Sequence, residues 1–210
     1  FSDVVVATCD LEIFDSVKKF GGKVIMTSPD HIMGSDRVAE VAQILDCTHV
    51  VNVQGDEILT LPQDLSLMIK AIKDYPSFPY WCSTAIVNNK DELSDTNIVK
   101  CVVTKSDKVT YCSRSISKLY FADDFEPVRK LLGVFAYKRE NLIEYGNLKR
   151  TPLEILESID ILRIIENDLP MQSVLFSCGY PGINDLKEEQ MIRDILQKDS
   201  QQVTLLKKIS

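Results

Sequence analysis

The strongest constraint on the fold is a rhythm in the first 75 residues, where short β-branched runs alternate with stretches of helical period. Residues 3–8, 23–27 and 48–53 read as strands. Between them, Leu11, Phe14, Val17 and Phe20 recur at helical spacing, and so do Val38, Val41, Ala42 and Leu45. Asp10 is placed to cap the first helix and Gly21-Gly22 to end it, while Ser35 or Asp36 would cap the second. Pro62 opens a third helix that reaches about Tyr75. This alternation predicts an α/β protein with a parallel, doubly wound sheet.

The third run, VVNVQGDEI from Val50 to Ile58, ends in an abrupt change of polarity. Its front half suits a strand buried on both faces. Gln54, Gly55, Asp56 and Glu57 then lie just past the carboxyl edge, where open α/β sheets bind their ligands. Carboxylates beside a glycine offer the oxygen donors that a hard cation such as Mg²⁺ takes. An acidic surface turn fits the same four residues equally well.

After Pro76 the rhythm changes. WCSTAIV reads as a strand, DELSD as a helical turn, and residues 98–115 as a hairpin around Ser106-Asp107. SKLYFADDFEPVRK has no clean period and reads as a loop or arm. LLGVFAY is a further buried strand, followed by a helix from Arg139 to about Tyr145. TPLEILESIDILRIIEND reads as one helix with a stripe of Leu153, Leu156, Ile159 or Ile161, Ile164 and Ile165. MQSVLF is a strand, and LKEEQMIRDILQKD a last amphipathic helix with a tail that extends it or docks. One domain over residues 1–210 is expected, with an excursion near 88–130.

Composition narrows the partners. The 210 residues carry a formal charge of −7, which disfavours a nucleic-acid backbone. No apolar run has the ~18–20 residues of a membrane span. The six cysteines (9, 47, 82, 101, 112 and 178) form no C-x-x-C pair, and several sit in strand-like runs as reduced, buried thiols would. A cytoplasmic location is expected.

Three pieces now align in order with one family. VATCDLEI…GGKVIMTSPDHIMGSDRVAEV, then VNVQGDE, then TPLEILESIDILR followed by PGINDLKE, resemble the 3-deoxy-manno-octulosonate cytidylyltransferases, or CMP-Kdo synthetases. The resemblance covers most of the chain. It implies a Rossmann-like nucleotide-diphospho-sugar transferase fold, a mostly parallel sheet with an antiparallel excursion that serves as a homodimer arm. It also implies coupling of CTP to an acidic keto-sugar, Mg²⁺ as cofactor, and a place in lipopolysaccharide biosynthesis.

By position in the family's motifs, Asp56 and Asp185 would be the metal ligands and catalytic carboxylates. Asp185 also fits a plain N-cap of the last helix. HIMGSDR would hold the nucleotide through His31, Gly34, Ser35 and Arg37: the glycine for close approach, the serine for its hydroxyl, the arginine for its fork. A capped helix with a solvated arginine, and a loop or core histidine, are the plainer readings. Gln54, Arg114 and Glu154 would bind the sugar; Glu154 is equally a first-turn acid favoured by the helix dipole. Leu131, Phe135 and Ile161 stand where commoner members carry His, Tyr and Gln, so the sugar is expected to differ from Kdo or to be held differently.

The family's N-terminal strand and triphosphate loop are not among these residues. The isolated chain is therefore expected to be incomplete at its start, poorly soluble or partly unfolded, and weak toward CTP. The competing readings are a nonulosonate cytidylyltransferase, a glycosyltransferase of similar fold, and a non-catalytic relative.

Overall fold

The computed structural model describes residues 1–116, 127–183 and 188–209. Strand β1 (Val5–Thr8) leads into helix α1 (Leu11–Lys19) and strand β2 (Lys23–Met26), and β1 and β2 pair in parallel. Asp10 caps α1 as expected, accepting from the amides of Glu12 and Ile13, and Gly21 turns the chain out at φ 76°. The apolar stripe of α1 is not buried, however. Leu11 and Phe20 are exposed, since among the described residues the helix packs chiefly on its own two strands.

Helix α2 (Gly34–Ile44) buries Val41 and Ala42 and is followed by β3 (His49–Val53), α3 (Pro62–Asp74) and β4 (Tyr80–Ile86). The expected cap of α2 is corrected. Its N-cap position is Met33, which offers no side-chain acceptor, and Ser35 and Asp36 lie inside the first turn. After the short α4 (Lys90–Ser94), the hairpin of β5 (Lys100–Val103) and β6 (Val109–Ser113) turns at Asp107, at φ 59°. Most of the polar-aromatic arm, residues 117–126, lies outside the described residues. Strand β7 (Val128–Lys138) is longer than the sequence implied and is the axis of the sheet.

Along the main sheet the order is β6-β5-β7-β4-β8, with β8 spanning Met171–Leu175, and β3 also pairs β7. β4 and β8 are parallel, while β7 runs antiparallel to β3, β4 and β5. So β3, β4, β5 and β8 all point one way, the direction of a Rossmann-like sheet, and β7 is inserted against them. β3 and β5 lie end to end along one edge of β7: β3 covers Val134–Lys138 and β5 covers Val128–Lys130. Leu131 to Gly133 face the break between them. The expectation that β3 is buried on both faces fails. Asn52 is buried but His49 and Val53 are exposed, and β7 is its one ladder partner among the described residues.

Side-chain alternation along β7 divides two cores. Phe135 and Tyr137 join Tyr80, Cys82, Cys101, Leu142, Tyr145, Ile161 and Ile164 on one face. Val134 and Ala136 join Trp81, Met68 and Phe176 on the other, under α3. Cys82, Cys101 and Cys112 are buried thiols, as their strand positions implied; Cys9 is exposed.

The first face is closed by α2, α5 (Arg139–Asn147) and α7 (Leu162–Glu166), with α6 (Pro152–Glu157) packed on α7. The single helix expected over 151–168 is two, broken where Ser158 adopts the left-handed conformation at φ 53°. The break splits the apolar stripe: Ile159, Ile161 and Ile164 are buried, but Leu156 is 77% exposed. Helices α8 (Glu188–Lys198) and α9 (Ser200–Ile209) end the described chain. Gln202 of α9 is buried and donates to the Leu59 carbonyl at 2.7 Å.

Candidate active site

The break along β7 positions the QGDE turn. The Gln54 amide donates to the Gly133 carbonyl at 2.9 Å, and the Glu57 carboxylate accepts the Gly133 amide at 2.5 Å. A third bond, from the Glu57 amide to the Gln54 carbonyl, closes the turn at 3.1 Å. Gly133 is required here. A Cβ on it would sit 2.8 Å from Glu57 Cγ and 2.9 Å from Gln54 Oε1. Burial pushes the Glu57 carboxyl up, the Gly133 amide draws it back, and the neighbouring Asp56 raises it again.

With the Gln54 backbone and the Glu57 side chain held on Gly133, Asp56 lies at the tip between them. Its carbonyl accepts the Ile183 amide at 3.1 Å, and its Oδ2 lies 3.5 Å from where Gly182 would carry a Cβ. The loop after β8 is thereby tied to the turn after β3. Asp185 lies outside the described residues, two positions beyond Ile183. Among the described residues no three side chains cluster as metal ligands.

The α2 end is built differently. A Cβ at Gly34 would meet nothing within 4 Å, so protein packing does not demand glycine there. Ser35 is buried, with its hydroxyl 2.5 Å from Asp160 Oδ2 and 3.0 Å from the Tyr137 hydroxyl. The hydroxyl expected at the nucleotide is engaged inside the protein. Arg37 donates to Thr27 Oγ1 at 2.5 Å and to the Ser28 carbonyl at 3.1 Å, tying α2 to the end of β2. His31 pairs with Glu40 at 2.5 Å. The Ser28 amide and His31 together hold the Glu40 carboxyl below its usual range. A cleft of about 330 Å³ runs along this side, lined by His31, Asp36, Glu40, Arg150 and Arg163 among others.

Two residues expected at the sugar bond within the protein. Glu154 is fully buried, and its carboxylate accepts from Arg163 at 2.6 and 2.9 Å, from Arg150 at 3.0 Å and from the Thr151 amide at 3.1 Å. Burial raises its pKa, but the bonds from Arg163, Thr151 and Arg150 outweigh that and hold the carboxyl below the usual range. Arg114 wraps the break after α6: Nε donates to the Glu157 carbonyl at 2.9 Å and Nη1 to the Thr96 carbonyl at 3.2 Å. Phe135 and Ile161 are core side chains, 2% and 1% exposed, and do not line an open pocket. Leu131 alone of the three departures is partly exposed, next to Gly133.

The structure thus brings Gln54, Asp56 and Leu131 together around Gly133, and places Gly34 at the head of α2. Sequence reasoning missed Gly133, Asp160 and Arg163, and the bond by which Glu57 holds Gly133. A glycine inside the strand LLGVFAY was a usable sign of close backbone approach. The bonds of Glu57 to Gly133, of Asp160 to Ser35 and of Arg163 to Asp36 span 76, 125 and 127 residues, and no local signal marks them.

Against known proteins, a profile described as cytidylyltransferase matches residues 1–176. The 3-deoxy-manno-octulosonate cytidylyltransferase of Fusobacterium nucleatum is 32% identical over 194 residues, covering 91% of this chain and 79% of that protein. The enzyme of the same name from Leptospira interrogans is 40% identical over 171 residues, covering 79% and 67%. Among solved structures, a CMP:2-keto-3-deoxy-manno-octonic acid synthetase complexed with CTP superposes with a TM-score of 0.86 at 28% identity, covering 94% and 81%. With residues 1–176 matched and relatives 32% and 40% identical over most of its length, this chain belongs to the cytidylyltransferase family.

Proposed function

We propose that the chain transfers CMP from CTP to Kdo or a related 2-keto-3-deoxy sugar acid, releasing pyrophosphate. The observation that carries this reading is the QGDE turn fixed on Gly133, with Asp56 held at its tip against the loop that follows β8. Membership of the family, with relatives named for this activity, supports it.

In the reaction the sugar's anomeric hydroxyl attacks the α-phosphorus of CTP, a new P–O bond forms, and the bond to the β-phosphate oxygen breaks. Gln54 follows β3 directly and presents an amide to hydrogen-bond sugar hydroxyls. Leu131, on the other side of Gly133, offers no hydrogen bond, so that part of the pocket favours a sugar with one polar group fewer there. The first turn of α2 offers backbone N–H groups and the positive end of a helix dipole to acceptor atoms of the nucleotide. Asp56 supplies the carboxylate at the reacting end.

A Mg²⁺ ion fits this donor set, since one or two carboxylates plus phosphate oxygens and water satisfy it. Asp56 and Asp185 would hold it, the Ile183–Asp56 bond bringing the chain to within two residues of Asp185. Bound there, the ion supplies charge neutralisation on the phosphates. Pairing of two copies through the 88–130 excursion is part of the same reading. No helix among the described residues is long and apolar enough to cross a membrane.

The test is pyrophosphate release from CTP with Kdo and with amino and deoxy analogues, in the presence and absence of Mg²⁺. Turnover restricted to CTP and a 2-keto-3-deoxy acid is expected. Turnover with a sugar 1-phosphate, or with no acidic sugar at all, would contradict the reading.

A further inference from the structure

Arg163 is the most deeply buried cation paired to two acids among the described residues, its side chain 2% exposed. It makes a bidentate contact to Glu154 and a second to Asp36, with Nη1 2.7 Å from Asp36 Oδ1 and Nη2 3.2 Å from Asp36 Oδ2. The Tyr145 ring stacks on its guanidinium at 4.4 Å. Isolated buried ion pairs add little net stability, because desolvation offsets the attraction. What this one does fix is direction. It joins α7 to the first turn of α2 across 127 residues of sequence.

The next residue back, Ser35, is held from the same short segment, by Asp160. Two adjacent first-turn side chains of α2 are thus anchored inward, while Met33 leaves the turn without a side-chain cap. There is also an electrostatic need. A bare Asp36 in the first turn would set a negative charge beside any phosphate or acceptor brought to that end. The Arg163 fork cancels it at contact distance.

We infer that Arg163 is a positioning residue for nucleotide binding: it aims the first turn of α2 and neutralises Asp36 there, without touching CTP. The inference rests on the proposed CTP-dependent activity. It separates Arg163 from the sugar end, since the guanidinium reaches no residue of the QGDE turn.

The experiment compares steady-state kinetics of the protein with Arg163→Lys and Asp36→Asn, measured well below their melting temperatures. A lysine cannot span both carboxylates with a planar fork. Arg163→Lys should raise the KM for CTP about 10-fold, the upper range of a helix-terminus charge effect, with the sugar KM changed less than about 2-fold. Asp36→Asn leaves the Arg163–Glu154 contact in place and is expected to fold normally. It should raise the CTP KM by a smaller factor, and the double variant should be no worse than Arg163→Lys alone. A wild-type protein active on CTP whose two variants lose only thermal stability, with both KM values unchanged, overturns the positioning role. A wild-type protein inactive on CTP overturns the activity on which it rests, and that result is visible before any variant is made.

Discussion

The QGDE turn and the segment from Arg150 to Arg163 both read as ligand-binding in the sequence, and the fold treats them in opposite ways. Around Gly133 the turn uses its backbone and Glu57 to hold itself, and the side chain at its tip, Asp56, is directed at another loop. In the 150–163 segment the side chains themselves are consumed. Glu154, Asp160, Arg163 and Arg150 all bond within the protein. The difference teaches how to sort carboxylates in a fold like this one. A carboxylate whose oxygens are fully engaged by buried cations is architecture, whatever motif it stands in. One held in place by its neighbours, with its own oxygens directed out of the core, is left for chemistry.

The largest expected effect lies on the architectural side. Glu154→Ala removes the acceptor of Arg163 and Arg150 from a fully buried site, and breaking such a network costs about 3–5 kcal/mol. Urea unfolding should show the loss. A change under about 1 kcal/mol would mean that Glu154 is a ligand group after all, and would dissolve the contrast.

Gly133→Ala sharpens the other side. The new methyl meets Glu57 and Gln54 at under 3.0 Å, and overpacking of this kind costs about 1–3 kcal/mol. Turnover should fall further than stability, because the displaced residues hold Asp56. Equal, small losses in both would show that the turn tolerates displacement.

The smallest effect is in the His31–Glu40 pair, at side-chain exposures of 24% and 39%. The Ser28 amide and His31 depress the Glu40 carboxyl in the folded state. Its contribution is therefore present above the ordinary value of 4.5 and fades as pH falls from there through the lower folded value. Solvent screening keeps it to about 1 kcal/mol or less. Melting temperature against pH for the wild type and Glu40→Gln should converge below that window. Curves that stay parallel through it would remove the pair from the account.

Much of the fold was legible because its signals are local. Asp10 capping α1, Gly21 ending it, Pro62 opening α3 and the Asp107 hairpin all follow from residues within a turn of the event. The break at Ser158 was not legible. The carbonyls of Glu157 and Ser158 at the break are met by the Arg114 guanidinium, from 43 and 44 residues away. The exposed stripe of α1 was misread for a related reason: periodicity says which residues share a face, not whether anything covers it.

The site divides in the same manner. Gln54 and Asp56 were legible because they sit at the carboxyl end of an obvious strand. The true occupations of Ser35, Arg114 and Glu154 were not. Motif position fixes where such a residue lies on its own helix, and their partners, Asp160, Thr96 and Arg163, come from elsewhere in the fold.

The most direct measurement of the division between chemistry and architecture is a paired one on Asp56→Asn, turnover and unfolding free energy in the same preparation. Removing a main electrostatic stabiliser costs about 10²–10³ in turnover. Because Asp56 engages no buried cation among the described residues, its unfolding free energy should stay within about 0.5 kcal/mol of wild type, as for substitutions away from buried networks. A variant that keeps near-normal turnover at saturating Mg²⁺, or that loses stability in step with activity, would contradict the account.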